Sequence, residues 1–229
     1  MSSVSPRQCP SPDTNEAAIQ PHPPEKFPRS AALLFLAATA CFAAVACPAQ
    51  AHTGTGLPGG FVSGFLHPLS GWDHLLAMVS VGLWGAILRK PLLIALPVIF
   101  PCMMVVGALM GMLHVPLPRT EIGIALSVLI LGVVIALEYK APVWLACLIV
   151  ALFAVFHGYA HGRELPSAAD PVGYSVGFVL ATGLLHLCGI GIGFINDVER
   201  GAFKGRYVVK GLGVIIGIAG LVFLWQAVA

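Results

Sequence analysis

Charge is what this 229-residue chain lacks: Asp, Glu, Lys and Arg make up 10% of it, against about a quarter in soluble domains. With 58% apolar residues and a mean hydropathy of +0.90, a water-soluble globule is excluded. Strong charge of either sign is missing too. The formal net charge is only +2, and no basic stripe with interleaved aromatics occurs, which sets nucleic-acid binding aside. The six cysteines form no CxxC pair, and Cys102, Cys147 and Cys188 lie in apolar runs where they read as small packing residues. There is neither a GxxxxGK phosphate loop, so the chain itself is no ATPase, nor an HExxH metallopeptidase motif.

What is present begins with a polar extension, residues 1–28, rich in Ser and Pro and unable to bury a core; we expect it to be disordered. Arg29, the apolar run from Ala31 to Ala46 and the small residues of Pro48-Ala49-Gln50-Ala51 then spell a cleaved signal peptide over 29–51. An uncleaved first helix is the alternative. Cleavage after Ala51 would leave His52 at the mature N-terminus, with an α-amine and an imidazole on one residue.

The remainder, 52–229, divides into six apolar segments at 61–88, 92–113, 121–138, 142–161, 172–195 and 208–228. At roughly 20 residues per crossing, this predicts an all-α polytopic membrane protein, a bundle of about six transmembrane helices. Pro68 and Gly71 interrupt the first segment, which suggests a short or re-entrant piece followed by a helix from Trp72. Such a break is tolerated at membrane depth where the freed backbone is buried in protein or lines a wet cavity. If the mature N-terminus is outside, the inner loops hold Arg89, Lys90, Lys140, Arg200, Lys204, Arg206 and Lys210, and the outer loops only Arg119 and Arg163. The positive-inside rule therefore places both ends of the mature chain outside.

Two constellations could carry chemistry. The first is His67-Pro-Leu-Ser-Gly-Trp-Asp73-His74, whose nitrogen and oxygen donors suit a first-row divalent ion such as Ni, Co or Zn. In a regular helix Asp73 and His74 would point about 100° apart, and the break lets His67 fold back towards them. A helix-capping His67 and a first-turn acid at Asp73 would be the structural explanation. Ionisable groups inside apolar segments are costly, however, and usually functional. The second is Phe156-His157-Gly-Tyr-Ala-His161-Gly-Arg-Glu164. A continuing helix puts His157, His161 and Glu164 on one face. Under the charge rule both clusters lie at the outer side, as a shared capture site requires. His186 lies deeper, either a second station on an ion path or a hydrogen-bonded core histidine; Glu121 and His114 are explained by a helix start and a loop. The pairs Gly107/Gly111, Gly173/Gly177, Gly189/Gly193 and Gly213/Gly217 fit close helix packing.

The motifs HPLSGWDHLLAMVSVGLWG (67–85), FHGYAHGRE (156–164) and ATGLLHLCGIGIG (181–193) resemble the HupE/UreJ family of bacterial nickel, in some members cobalt, permeases. The resemblance covers essentially all of the chain from His52 onward. It implies six spans after a cleaved signal peptide, a frequent association with hydrogenase or urease genes, and a role in metal transport for His67, Asp73, His74, His157, His161 and Glu164. The long segment before the signal departs from the family pattern.

The expectation is thus a secondary permease of the bacterial inner membrane, mature N-terminus periplasmic, importing Ni(II) or Co(II) as substrate, with no prosthetic group. His52 and His186 are candidates for its ion path. A functional link to hydrogenase or urease maturation is the expected partner relationship, besides the metal and the bilayer. Two rivals remain: an intramembrane zinc hydrolase using these ligands with Ser70 nearby, and a metal-binding accessory protein that transports nothing.

Overall fold

The computed structural model describes residues 60–165, 170–200 and 203–229. The polar extension, the signal segment and His52 lie outside the described residues. Seven helices occur among those described: α1 (Phe61–Ser70), α2 (Trp72–Leu88), α3 (Leu92–Met112), α4 (Thr120–Ala136), α5 (Val143–Glu164), α6 (Pro171–Gly193) and α7 (Gly205–Val228). A 3-10 turn, Phe194–Asp197, and a minimal antiparallel ladder pairing Glu199 with Lys204 and Arg200 with Phe203 join α6 to α7.

By length and composition, α3, α5, α7 and α6 with its 3-10 extension can each cross a membrane, and α1 with α2 qualifies as a fifth, bent span. Helix α4 has 17 residues, about 25 Å at 1.5 Å per residue, the short end of what spans a hydrocarbon core. The molecule is therefore an all-α, multi-pass membrane bundle. Its helices carry apolar residues outward as well as inward: Leu148, Leu152, Leu184 and Leu187 are all exposed, as expected of a surface solvated by lipid.

The break in the first segment falls at Gly71 alone. Pro68 was expected to share it, but Pro68 is buried within α1. Its missing N–H costs the helix one bond, to the Gly64 carbonyl, and the helix still runs two residues further. The Ser70 hydroxyl then donates to the His67 carbonyl at 2.7 Å, satisfying one acceptor that a helix C-terminus leaves open. Gly71 follows in extended conformation, φ −95° and ψ 115°, and α2 departs at 84° to α1.

Packing is organised by three close associations: α3 with α5, α4 with α7, and α6 along both α1 and α2. Glycine makes each possible. A Cβ on Gly158 would overlap the Met104 carbonyl oxygen, one on Gly82 the carbonyl of His186, and one on Gly132 the backbone of Gly217. With lipid no less apolar than a leucine side chain, such backbone proximity and the dispersion contact it permits are what bind helix to helix. Between the pairs lies a core that includes Met78, Trp84, Leu96, Phe100, Met104, Leu131 and Ile135. At one end, ion pairs tie the connections together: Arg89 with Asp197, and Glu138 with Arg206 at 3.1 Å and Lys210 at 3.7 Å.

Candidate metal centre

The bend at Gly71 returns the end of α1 to the start of α2, with the His67 and His74 ring centroids 6.2 Å apart. Asp73 is the second residue of α2, where a carboxylate is favoured by the helix dipole. Its Oδ1 accepts the backbone N–H of His74 at 2.8 Å and lies 2.9 Å from His74 Nδ1. The side chains of neighbouring helical residues were expected to diverge; here they meet, because Asp73 has no complete turn before it to confine its rotamer. A carboxylate can only accept. In the neutral ring Nδ1 therefore carries the hydrogen, and Nε2 is left as the electron-pair donor.

Helix α5 supplies the other wall. His157 is fully buried, and its Nδ1 donates to the Phe153 carbonyl at 2.9 Å, so its Nε2 is also the donor nitrogen. Among the described residues that Nε2 has no hydrogen-bond partner. One turn on, His161 stands between the two walls, its ring 4.8 Å from His74 and 4.9 Å from His67. Glu164 closes the set: one ligand atom each from His67, His161 and Glu164 lies within 4.8 Å of the others. His74 joins this group to His157, 5.0 Å away between centroids.

All six side chains singled out in the two motifs are thus brought to one place. His67 and Glu164 are partly exposed, while Asp73, His74, His157 and His161 are buried. The donors are imidazole nitrogens and carboxylate oxygens, a set suited to borderline divalent ions. Among the described residues no cysteine belongs to the ligand group, and Cys102 and Cys188 are exposed. Orientation of the rings by a carboxylate and a backbone carbonyl is the arrangement that metal-ligating histidines ordinarily have.

The sequence model of the family described as HupE / UreJ protein matches residues 39–223, a span that includes every one of these side chains. The chain belongs to the HupE/UreJ family. Protein HupE of Rhizobium leguminosarum bv. viciae is 38% identical to it over 187 residues, which are 81% of this chain and 96% of that protein. No solved structure matches it.

Several features of this HupE/UreJ chain that serve the site were not singled out from its motifs. In FHGYAHG each glycine follows a histidine by one residue, about 100° around the helix. The glycine ridge therefore packs on α3, Gly158 over Met104 and Gly162 over Ala108, while the histidine ridge meets α2. The spacing was readable in the sequence; its partner was not. Phe178 of α6 packs on His161 at 4.5 Å and Tyr174 on His67 at 5.8 Å, so α6 walls the site with aromatic rings.

His186 stands apart from the six. It is 2% exposed and hydrogen-bonded to the backbone of Pro97. That contact has a covalent origin: Pro101 lacks the N–H that would have bonded the Pro97 carbonyl four residues back. The imidazole replaces it. Ser70 is exposed, and its hydroxyl donates to the His67 carbonyl.

Proposed function

We propose that this protein is a permease that carries Ni(II), with Co(II) as the next candidate, inward across the bacterial inner membrane. One observation carries this: two motifs in separate helices deliver four imidazoles and two carboxylates to a single, largely buried cluster in a bundle made for lipid. Buried polar groups of that cost are kept for function.

In this mechanism the hydrated ion first meets the partly exposed His67 and Glu164, exchanges water for their donors and that of His161, and moves on to His74 and His157. Asp73 acts through His74, holding its tautomer and adding negative charge near the ion. Mixed imidazole and carboxylate ligation binds firmly enough to dehydrate the ion and weakly enough to release it. His186 is the next station inward, and His52, on the mature N-terminus, delivers the ion to the mouth. Residues 52–229 make six crossings, α1 and α2 together forming the first, with both ends periplasmic and residues 29–51 removed as a signal peptide. A protein with this cargo would serve hydrogenase or urease maturation. The chain acts as a carrier and not as an enzyme.

Uptake of radiolabelled nickel by cells expressing the chain, with Asp73→Asn and His157→Ala for comparison, tests the proposal. Uptake that both substitutions abolish at normal protein level supports it. Nickel binding without uptake would replace it with the accessory reading. Competition by unlabelled cobalt ranks the two ions.

A further inference from the structure

The line of imidazoles from His67 through His161 and His74 to His157 is interrupted before His186 by one aromatic ring. Phe100 of α3 is 0% exposed. Its centroid lies 5.6 Å from that of His157 and 5.4 Å from that of His186, edge to face with both. At these two rings the polar series is divided by a hydrocarbon face. His157 and His186 each have an Nε2 without a hydrogen-bond partner among the described residues, so donor nitrogens on both sides are uncommitted and the ring between offers none.

The helix that carries Phe100 is weakened where the ring is attached. Pro97 and Pro101 both lie inside α3, and neither can make its helical bond. The Leu93 and Pro97 carbonyls are therefore released from the helix ladder, the second of them on the turn that bears Phe100. One of them, that of Pro97, is held by His186. A side chain on such a turn needs less backbone rearrangement to swing aside than one on an intact helix.

We propose that Phe100 is the barrier of the transport path, a plug that separates the outer cluster from His186, with the Pro97/Pro101 turn as its joint. This rests on the permease reading above. An ion that has exchanged its water for protein donors at the outer cluster passes when the ring moves; one that keeps its hydration shell meets an apolar constriction, which excludes it as a dewetted gate does. An ion that reaches His186 binds at the uncommitted Nε2, while the bond to Pro97 through the other ring nitrogen keeps the imidazole oriented beside Phe100. Phe100 is thus a selectivity residue that touches the path without ligating the cargo.

Purified full-length protein in liposomes, assayed for nickel or cobalt influx, for magnesium influx as the strongly hydrated control, and for nickel binding in detergent, tests the plug. Phe100→Ala is expected to bind nickel as the parent does and to raise magnesium influx by about tenfold or more. Phe100→Trp is expected to keep binding and lower nickel influx by a similar factor, and Phe100→Leu, which preserves an apolar barrier and covers the case of an Ala variant that does not fold, to retain exclusion of magnesium. Alanine and tryptophan variants that bind and carry both ions as the parent does would overturn the plug and leave the permease reading standing. Lost nickel binding in the folded leucine variant would also overturn it, by showing that the ring merely props the histidines. A parent protein that carries neither nickel nor cobalt would remove the permease reading, and the plug with it.

Discussion

His157 donates through Nδ1 to the carbonyl of Phe153, 2.9 Å away in its own helix, and this one bond decides which nitrogen of the ring is a ligand. Because a carbonyl only accepts, the hydrogen is fixed on Nδ1 and the electron pair on Nε2. Removing the ring by His157→Ala should weaken nickel binding by about 10–100-fold, measured calorimetrically on purified protein, with the amount in the membrane unchanged. Full affinity in the variant would make His157 a core histidine.

Asp73 touches the site through His74. Asp73→Asn keeps an oxygen that can accept the His74 N–H and loses the negative charge. Nickel affinity is expected to fall by about tenfold or more while the helix start survives, as judged by circular dichroism. An unchanged affinity would reduce Asp73 to a first-turn acid.

Glycine substitutions separate packing from ligation. A Cβ on Gly158 overlaps the Met104 carbonyl, whereas one on Gly183 meets nothing within 4 Å. Gly158→Ala is expected to destabilise the folded bundle by about 1–3 kcal/mol, and Gly183→Ala to have no comparable effect. Thermal unfolding in detergent compares them directly; equal midpoints would show that α3 and α5 can separate without cost.

Topology has its own test. Alkaline phosphatase fused after Ala229 should be active, and green fluorescent protein at the same point dark, if both ends are periplasmic. Moving the fusion to the connection after Arg89 should reverse both signals. The opposite pattern would turn the bundle over and place the histidine cluster at the inner face.

Most of the architecture was readable in sequence because a bilayer demands long apolar runs, and runs are local. The six segments named from hydropathy each hold helix, and the break before Trp72 follows from Gly71. Pro68 was misassigned because its missing N–H costs α1 a single bond, which a helix can lose near its end and still run on to Ser70. The tautomers of His74 and His157 were out of reach because each depends on where one oxygen atom lies.

Sequence by itself determined that this chain belongs in lipid, which residues are too polar to be there idly, and, through the HG-x-x-HG spacing of residues 157–162, that histidines and glycines occupy different faces of α5. Only the tertiary structure decided which faces meet. The 84° bend at Gly71 carries His67 back over His74, the glycine ridge of α5 draws α3 close, and Phe100 is thereby set between His157 and His186. Those are consequences of helix approach and crossing, set by where side chains are small enough for backbones to touch, and no single segment contains them.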